Sequence, residues 1–202
     1  MQFQKDDIRE SILAAARQEF WGKGFEKASI RNICRMAKTS TSNLYNYFRD
    51  KGALFSAVVE PTLSAMREGM EQLSARDRAE NAAPYSIDAQ SAVIVKIMAF
   101  VFSREADLKL LLFCSSGSPL AGFKDDVIHA LSGILNSWAN QISLAGHVPE
   151  FFTDMVASFY IGVMEQMLLK GISQEQAQEH FGAFLQFVYG GWSAVLNTNI
   201  SY

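Results

Sequence analysis

Ser29-Ile-Arg-Asn-Ile-Cys-Arg-Met-Ala-Lys-Thr-Ser-Thr-Ser-Asn-Leu-Tyr-Asn-Tyr-Phe48 is the stretch on which the reading of this chain turns. Ile30, Ile33, Cys34 and Ala37 fall on one face at helical spacing, and the Ser29 hydroxyl can cap the first turn. A polar turn follows at Lys38, Thr39 and Ser40. A second short helix then points Leu44 and Phe48 inward. Ser40, Thr41, Ser42, Asn43, Tyr45, Asn46 and Tyr47 are left on its outer and flanking faces. Two short helices joined in this way form a helix-turn-helix, whose second helix fits the major groove of DNA. Hydroxyls and amides suit base edges, and tyrosines can reach the phosphate backbone. Polar turns alone would equally suit an ordinary helical hairpin, so the flanking residues decide.

Those flanks are Glu19-Phe20-Trp21-Gly22-Lys23-Gly24-Phe25, the Ser29 start, Asn43-Leu44-Tyr45-Asn46-Tyr47-Phe48, Lys51 and Ala53-Leu54-Phe55. Together they resemble the tetracycline-repressor (TetR) family of bacterial regulators over roughly residues 6 to 60. Two departures stand out. The family usually carries glycine where Lys38 and Ser42 sit, and often glutamate where Gly52 sits. A left-handed turn residue costs lysine more than glycine, on the order of 1 kcal/mol.

The resemblance implies an all-α protein. An N-terminal three-helix helix-turn-helix domain (1–50) would precede a C-terminal helical effector-binding and dimerisation domain (51–202). It implies that Ser29, Tyr45, Tyr47 and Lys51 hold phosphates while Thr41, Ser42, Asn43 and Asn46 face bases, with Lys38, Thr39 and Ser40 at the turn. Lys51 also stands out on physical grounds. A cation beside the helix start at Asp50 opposes the helix dipole, and a bound phosphate would reverse that penalty.

Composition agrees with a soluble globular chain: 202 residues, 49% hydrophobic and 19% charged. Residues 1–51 carry ten Lys/Arg against six Asp/Glu, and the remainder eight against fifteen. The net charge of −3 therefore conceals a basic head on an acidic body, which suits a polyanion partner for the head. Met1 to Asp7 lacks the apolar core of a secretion signal. The most apolar run, Ala92 to Phe102, is interrupted by Lys96 and too short to span a bilayer. The expectation is no membrane association and a place in the bacterial cytosol, on the nucleoid.

Cys34 and Cys114 are too few for a disulfide framework or a metal site. Cys34 lies on a core face, and Cys114 ends an apolar helix beside a loop. His129, His147 and His180 show no ligand spacing. With no nucleophile–base pair and no phosphate-binding glycine loop, neither catalysis nor a cofactor or metal is expected.

Taken in order, a first helix from about Asp6 to Trp21 ends at Gly22 or Gly24. A helix from Asp50 carries Pro61 in its interior, which predicts a kink near Ala57–Pro61. Residues 74–86 turn polar and read as a loop or a frayed helix end. Helices over 87–103 and 106–115 follow, then a break at Ser116–Pro119 and a long helix to about Ala145. The last two, 150–170 and 174–196, are apolar on more than one face, and Ser173 with Gln176 forms a capping-box pattern. Helices apolar all round need cover on all sides. A second copy is the expected partner, meeting Val156, Val163, Phe181, Phe184, Val188 and Trp192. Phe100, Phe113, Cys114, Trp138, Phe159 and Gln166 are the candidates for lining an effector cavity, a use to which the family resemblance points. The function expected is a homodimeric regulator, a repressor that leaves its palindromic double-stranded operator DNA when a small apolar molecule binds. The competing readings are a protein-binding adaptor with the same body and a ligand-independent DNA-binding protein.

Overall fold

The structure, a computed structural model, describes residues 2–79, 87–142 and 148–197. Among these residues there are nine helices and no strand: α1 (Gln2–Lys27), α2 (Ile30–Met36), α3 (Thr41–Tyr45), α4 (Lys51–Ala79), α5 (Ile87–Ser103), α6 (Glu105–Phe113), α7 (Phe123–Ile142), α8 (Glu150–Lys170) and α9 (Gln174–Asn197). The chain divides into two compact units. One comprises residues 1–68 with 106–124, and the other residues 69–105 with 125–202.

The first unit is built on the apolar stripe of α1. Ile12, Ala16 and Phe20 are buried with Ile33 of α2, Leu44 of α3, and Leu54, Phe55, Val58 and Val59 of α4. The Phe55 ring meets Phe20 and Phe25 edge-on, at 5.0 and 5.4 Å between centroids. A three-helix head is too small to bury much on its own, and the first half of α4 completes its core. At Gly24 (φ 70°, ψ 166°) the backbone leaves the helical region, so α1 is two helices joined at a glycine.

Residues 106–124 belong to the same unit. The Phe25 amide just past the Gly24 break donates to the carbonyl of Cys114 at 2.8 Å. Asp107 of α6 is buried, accepts from the Thr62 hydroxyl of α4 at 2.7 Å, and is paired with Arg17 of α1. Arg17 also donates to the Val58 carbonyl at 3.1 Å, beside the Ala57 carbonyl that Pro61 deprives of its usual donor. Helix α4 runs through Pro61 without a break and continues to Ala79. Residues 74–79 are thus the end of this helix, the second of the two expected readings, and residues 80–86 lie outside the described residues.

The second unit packs α5, α7, α8 and α9 around two apolar clusters. One holds Met98, Met167, Ala177 and Phe181, the other Ala139, Val148, Val188 and Trp192. A buried Ser132–Thr153 hydroxyl pair (3.0 Å) ties α7 to α8. The capping box forms as expected at the start of α9. Gln176 N–H donates to Ser173 Oγ at 3.2 Å, and Ser173 N–H to Gln176 Oε1 at 3.1 Å. Helix α7 ends at Ile142 among the described residues, and the expected end near Ala145 lies outside them.

Candidate nucleic-acid interface

The turn between α2 and α3 is closed by backbone bonds that specify its shape. Thr39 N–H reaches the Cys34 carbonyl (3.0 Å) and Lys38 N–H the Arg35 carbonyl (3.3 Å). This is the Schellman pattern, which requires a left-handed residue just past the cap. Lys38 fills that position with φ 52°, the one non-glycine residue with positive φ among those described. Ser29 and Ser40 cap the two helices, accepting from Asn32 N–H (3.4 Å) and Asn43 N–H (3.1 Å).

Helix α3 is held from below by Leu44 and Phe48, both buried. Lys38, Ser40, Thr41, Ser42, Tyr45 and Asn46 are exposed, while Ser29, Thr39, Asn43 and Tyr47 are half-buried. Apart from Ser29 at the start of α2, these residues occupy the turn, the short helix and the two positions after it. Asn43 is already engaged, its amide donating to the Thr39 hydroxyl at 2.8 Å.

Lys51 has partners within the head. Its ammonium donates to the carbonyls of Glu26 (3.0 Å) and Ala28 (3.2 Å) and lies 4.7 Å from the centre of the Phe25 ring. The negative end of α1 thus supplies the compensation for which a phosphate was invoked, and Lys51 joins the end of α1 to the start of α4. Asp50 caps α4 by accepting from Ala53 N–H at 2.7 Å. That bond, strongest among its causes, lowers the Asp50 pKa.

Sequence reasoning passed over Glu19. It is 4% exposed and accepts from Ser29 N–H (3.1 Å), the Lys23 ammonium (3.0 Å) and the Asn32 amide. Burial pushes its carboxyl pKa up, but the bonds from Lys23, Asn32 and Ser29 together outweigh burial and hold it below the ordinary value. A legible signal existed: Glu19 stands among Ala15, Ala16 and Phe20, on the face of α1 that must be buried.

The other candidate residues are divided between the two units. Phe113 and Cys114 lie in the first unit; Phe100, Trp138, Phe159 and Gln166 lie in the second. Phe159 and Gln166 share an open groove of about 360 Å³ also lined by Val163, Met167, Lys170 and His180. Trp138 instead packs edge-on against Trp192 at 5.5 Å. Burial raises the pKa of both the Cys34 and the Cys114 thiol, the opposite of what activates a cysteine.

Three expected dimer contacts need correction: Phe181, Val188 and Trp192 are buried inside their own protomer and cannot meet a partner. Val156, Val163 and Phe184 are partly covered by the same clusters. Among the apolar side chains left exposed are Phe151 (74%), Met155 and Phe159, one helical turn apart on α8, with Leu169 further along it, and Phe187 (72%) on α9. Among the described residues no group of three or more His, Cys, Asp or Glu could hold a metal. No helix there is long and apolar enough to cross a membrane.

The fold and this site define an all-helical protein with an N-terminal helix-turn-helix head. Residues 12–58 match the family described as bacterial regulatory proteins, tetR family. The HTH-type transcriptional regulator UidR of Escherichia coli K12 is 35% identical over 106 residues, 49% of this chain and 54% of UidR. The match thus spans about half the length of that relative. Solved structures extend the likeness across the fold. A TerR/AcrR-family transcriptional regulator from Aquifex aeolicus VF5 covers 90% of this chain and 99% of its own at TM-score 0.59 and 17% identity. NalD of Pseudomonas aeruginosa, described as the secondary repressor of the MexAB-OprM multidrug efflux pump, covers 87% and 93% at TM-score 0.60 and 17% identity.

Proposed function

We propose that the protein is a cytoplasmic, homodimeric transcriptional repressor that reads a palindromic operator through α3 and leaves it when a small, largely apolar molecule binds the second unit. The observation that carries this reading is the exposed polar set on α3, Thr41, Ser42, Tyr45 and Asn46, seated on buried Leu44 and Phe48. A surface that short and polar contributes little to folding but matches base edges and phosphates. Thr41, Ser42, Asn43 and Asn46 face bases, Asn43 after releasing Thr39. Ser29, Tyr45, Tyr47 and Lys38 face the backbone. Lys51 acts through α1, setting where α4 begins.

A second copy covers Phe151, Met155, Phe159 and Phe187, bringing two heads to successive major grooves on one face of the duplex, roughly 34–36 Å apart or a little more. The effector belongs to the aromatic interior of the second unit. There the buried Trp192 indole N–H finds no acceptor among the described residues and is a donor a ligand can take up. Footprinting on the DNA flanking the protein's own gene tests the whole reading. A protected palindrome, lost on Asn46→Ala and Ser42→Ala, is expected. A protein that binds operator-length and random duplexes equally, or neither, overturns it.

A further inference from the structure

We propose that Arg35 is a phosphate-backbone contact held ready by the buried carboxylate of Glu19 acting through Asn32; this rests on the DNA-binding reading above. Asn32 lies between two charges. Its amide N–H donates to Glu19 Oε2, while its Oδ1 accepts from Arg35 Nε at 3.2 Å and Nη2 at 2.7 Å. The chemistry fixes this orientation, because only the NH₂ can face a carboxylate and only the oxygen a guanidinium. Donating to an anion also polarises the amide and strengthens its oxygen as an acceptor.

The far end of the relay is immobile. Glu19 is buried and fixed by Ser29 N–H and Lys23. The near end is exposed, and Arg35 keeps its remaining N–H groups toward solvent. Arg31, Arg35 and Lys38 are all exposed, at spacings of four and three residues. Arg31 and Arg35 stand one turn apart on the solvent side of α2, with Lys38 in the turn that follows, and the first helix of a helix-turn-helix crosses the DNA backbone. An arginine on a free surface loses side-chain entropy when it binds. Here the guanidinium is ordered before DNA arrives, at the expense of a buried carboxylate inside the head. A cation in the last turn of α2 also suits the helix dipole, but that role needs neither Asn32 nor Glu19.

The test uses the full chain and a random-sequence duplex, with anisotropy titrations across a potassium chloride series. Arg35→Ala should flatten the slope of log affinity against log salt by about one unit. Asn32→Ala should weaken binding several-fold with the slope kept, since no charge is lost. The double variant should bind no more weakly than Arg35→Ala. Glu19→Gln, which keeps an acceptor for Ser29 and Asn32, should bind better than Glu19→Ala at matched thermal stability. If Arg35→Ala leaves the slope unchanged while the unsubstituted protein shows a steep one, the assignment is wrong and the dipole role stands. If the unsubstituted protein binds no duplex in a salt-dependent way, the DNA-binding reading itself fails.

Discussion

A Cβ on Gly52 would stand 2.9 Å from Cγ of Pro119. That contact accounts for glycine in the first turn of α4, where the TetR resemblance leads one to expect glutamate. The loop after α6 lies against this turn. It is fixed nearby by Gly117 (φ 75°), where a Cβ would meet the Glu26 side chain at 2.8 Å. Gly52→Ala should therefore destabilise the protein, because an overpacked contact costs about 1–3 kcal/mol and helix propensity returns at most about 1 kcal/mol. In a Pro119→Ala background the same change should be neutral or favourable. Chemical denaturation of the four proteins checks it: a Gly52→Ala effect of the same sign and size in both backgrounds removes Pro119 as the cause.

Lys38→Gly should stabilise the head. The left-handed conformation costs an L-residue about 1–2 kcal/mol, and added freedom in the unfolded chain takes back about 0.4–1 kcal/mol, leaving a gain near 0.5–1 kcal/mol. Affinity for DNA should fall at the same time, with a salt slope shallower by about one unit. Melting curves and salt-dependent titrations on one preparation separate the two effects. A variant that is less stable would show that the turn carries no strain.

The Arg17–Asp107 pair should be lopsided. The Arg17 side chain is 40% exposed and can return to water, whereas that of Asp107 is 7% exposed and cannot. Arg17→Met strands a buried carboxylate on Thr62 alone and should cost about 2–3 kcal/mol, somewhat under the usual loss for breaking a buried pair. Asp107→Asn keeps an acceptor for Thr62 and should cost at least 1 kcal/mol less. Denaturant midpoints decide it, and equal losses would mean that Asp107 is solvated.

Assembly gives the fourth expectation. Phe187→Glu should convert a dimer into a monomer with a nearly unchanged melting temperature, because Phe187 touches little of its own protomer. Val188→Glu, one residue on and 8% exposed, should unfold the second unit by burying an uncompensated charge. Sedimentation at micromolar concentration, paired with melting curves, reads both. An unsubstituted protein that sediments as a monomer refutes the dimer.

Local chemistry was legible in the sequence. The caps at Ser29 and Ser173, the glycine break in α1 and the inward Leu44 and Phe48 all depend on neighbours within a few residues, and they stand where spacing placed them. What escaped was non-local. Nothing about Asp107 in its own helix marks it as the partner of a residue ninety positions earlier. Lys51 looked mismatched only because the helix end it serves lies behind it in the chain. In α9 the apolar pattern was read correctly as calling for cover on several faces. Periodicity cannot say which cover comes from the same protomer, so it points to Val188 and Trp192 as readily as to the exposed Phe187 just before them.

Because the first unit takes residues 106–124 as well as 1–68, it has a timetable. A ribosome releases the helix-turn-helix long before α6. Until residues 107 and 114 emerge, Arg17 and Thr62 lack their carboxylate and the Phe25 amide lacks its carbonyl. Closing contacts across such a stretch of chain carries an entropic cost and slows folding. The head of the nascent protein is therefore immature while much of the body is still being translated, and a fragment cut after residue 68 would isolate that immature state instead of a finished DNA-reading domain.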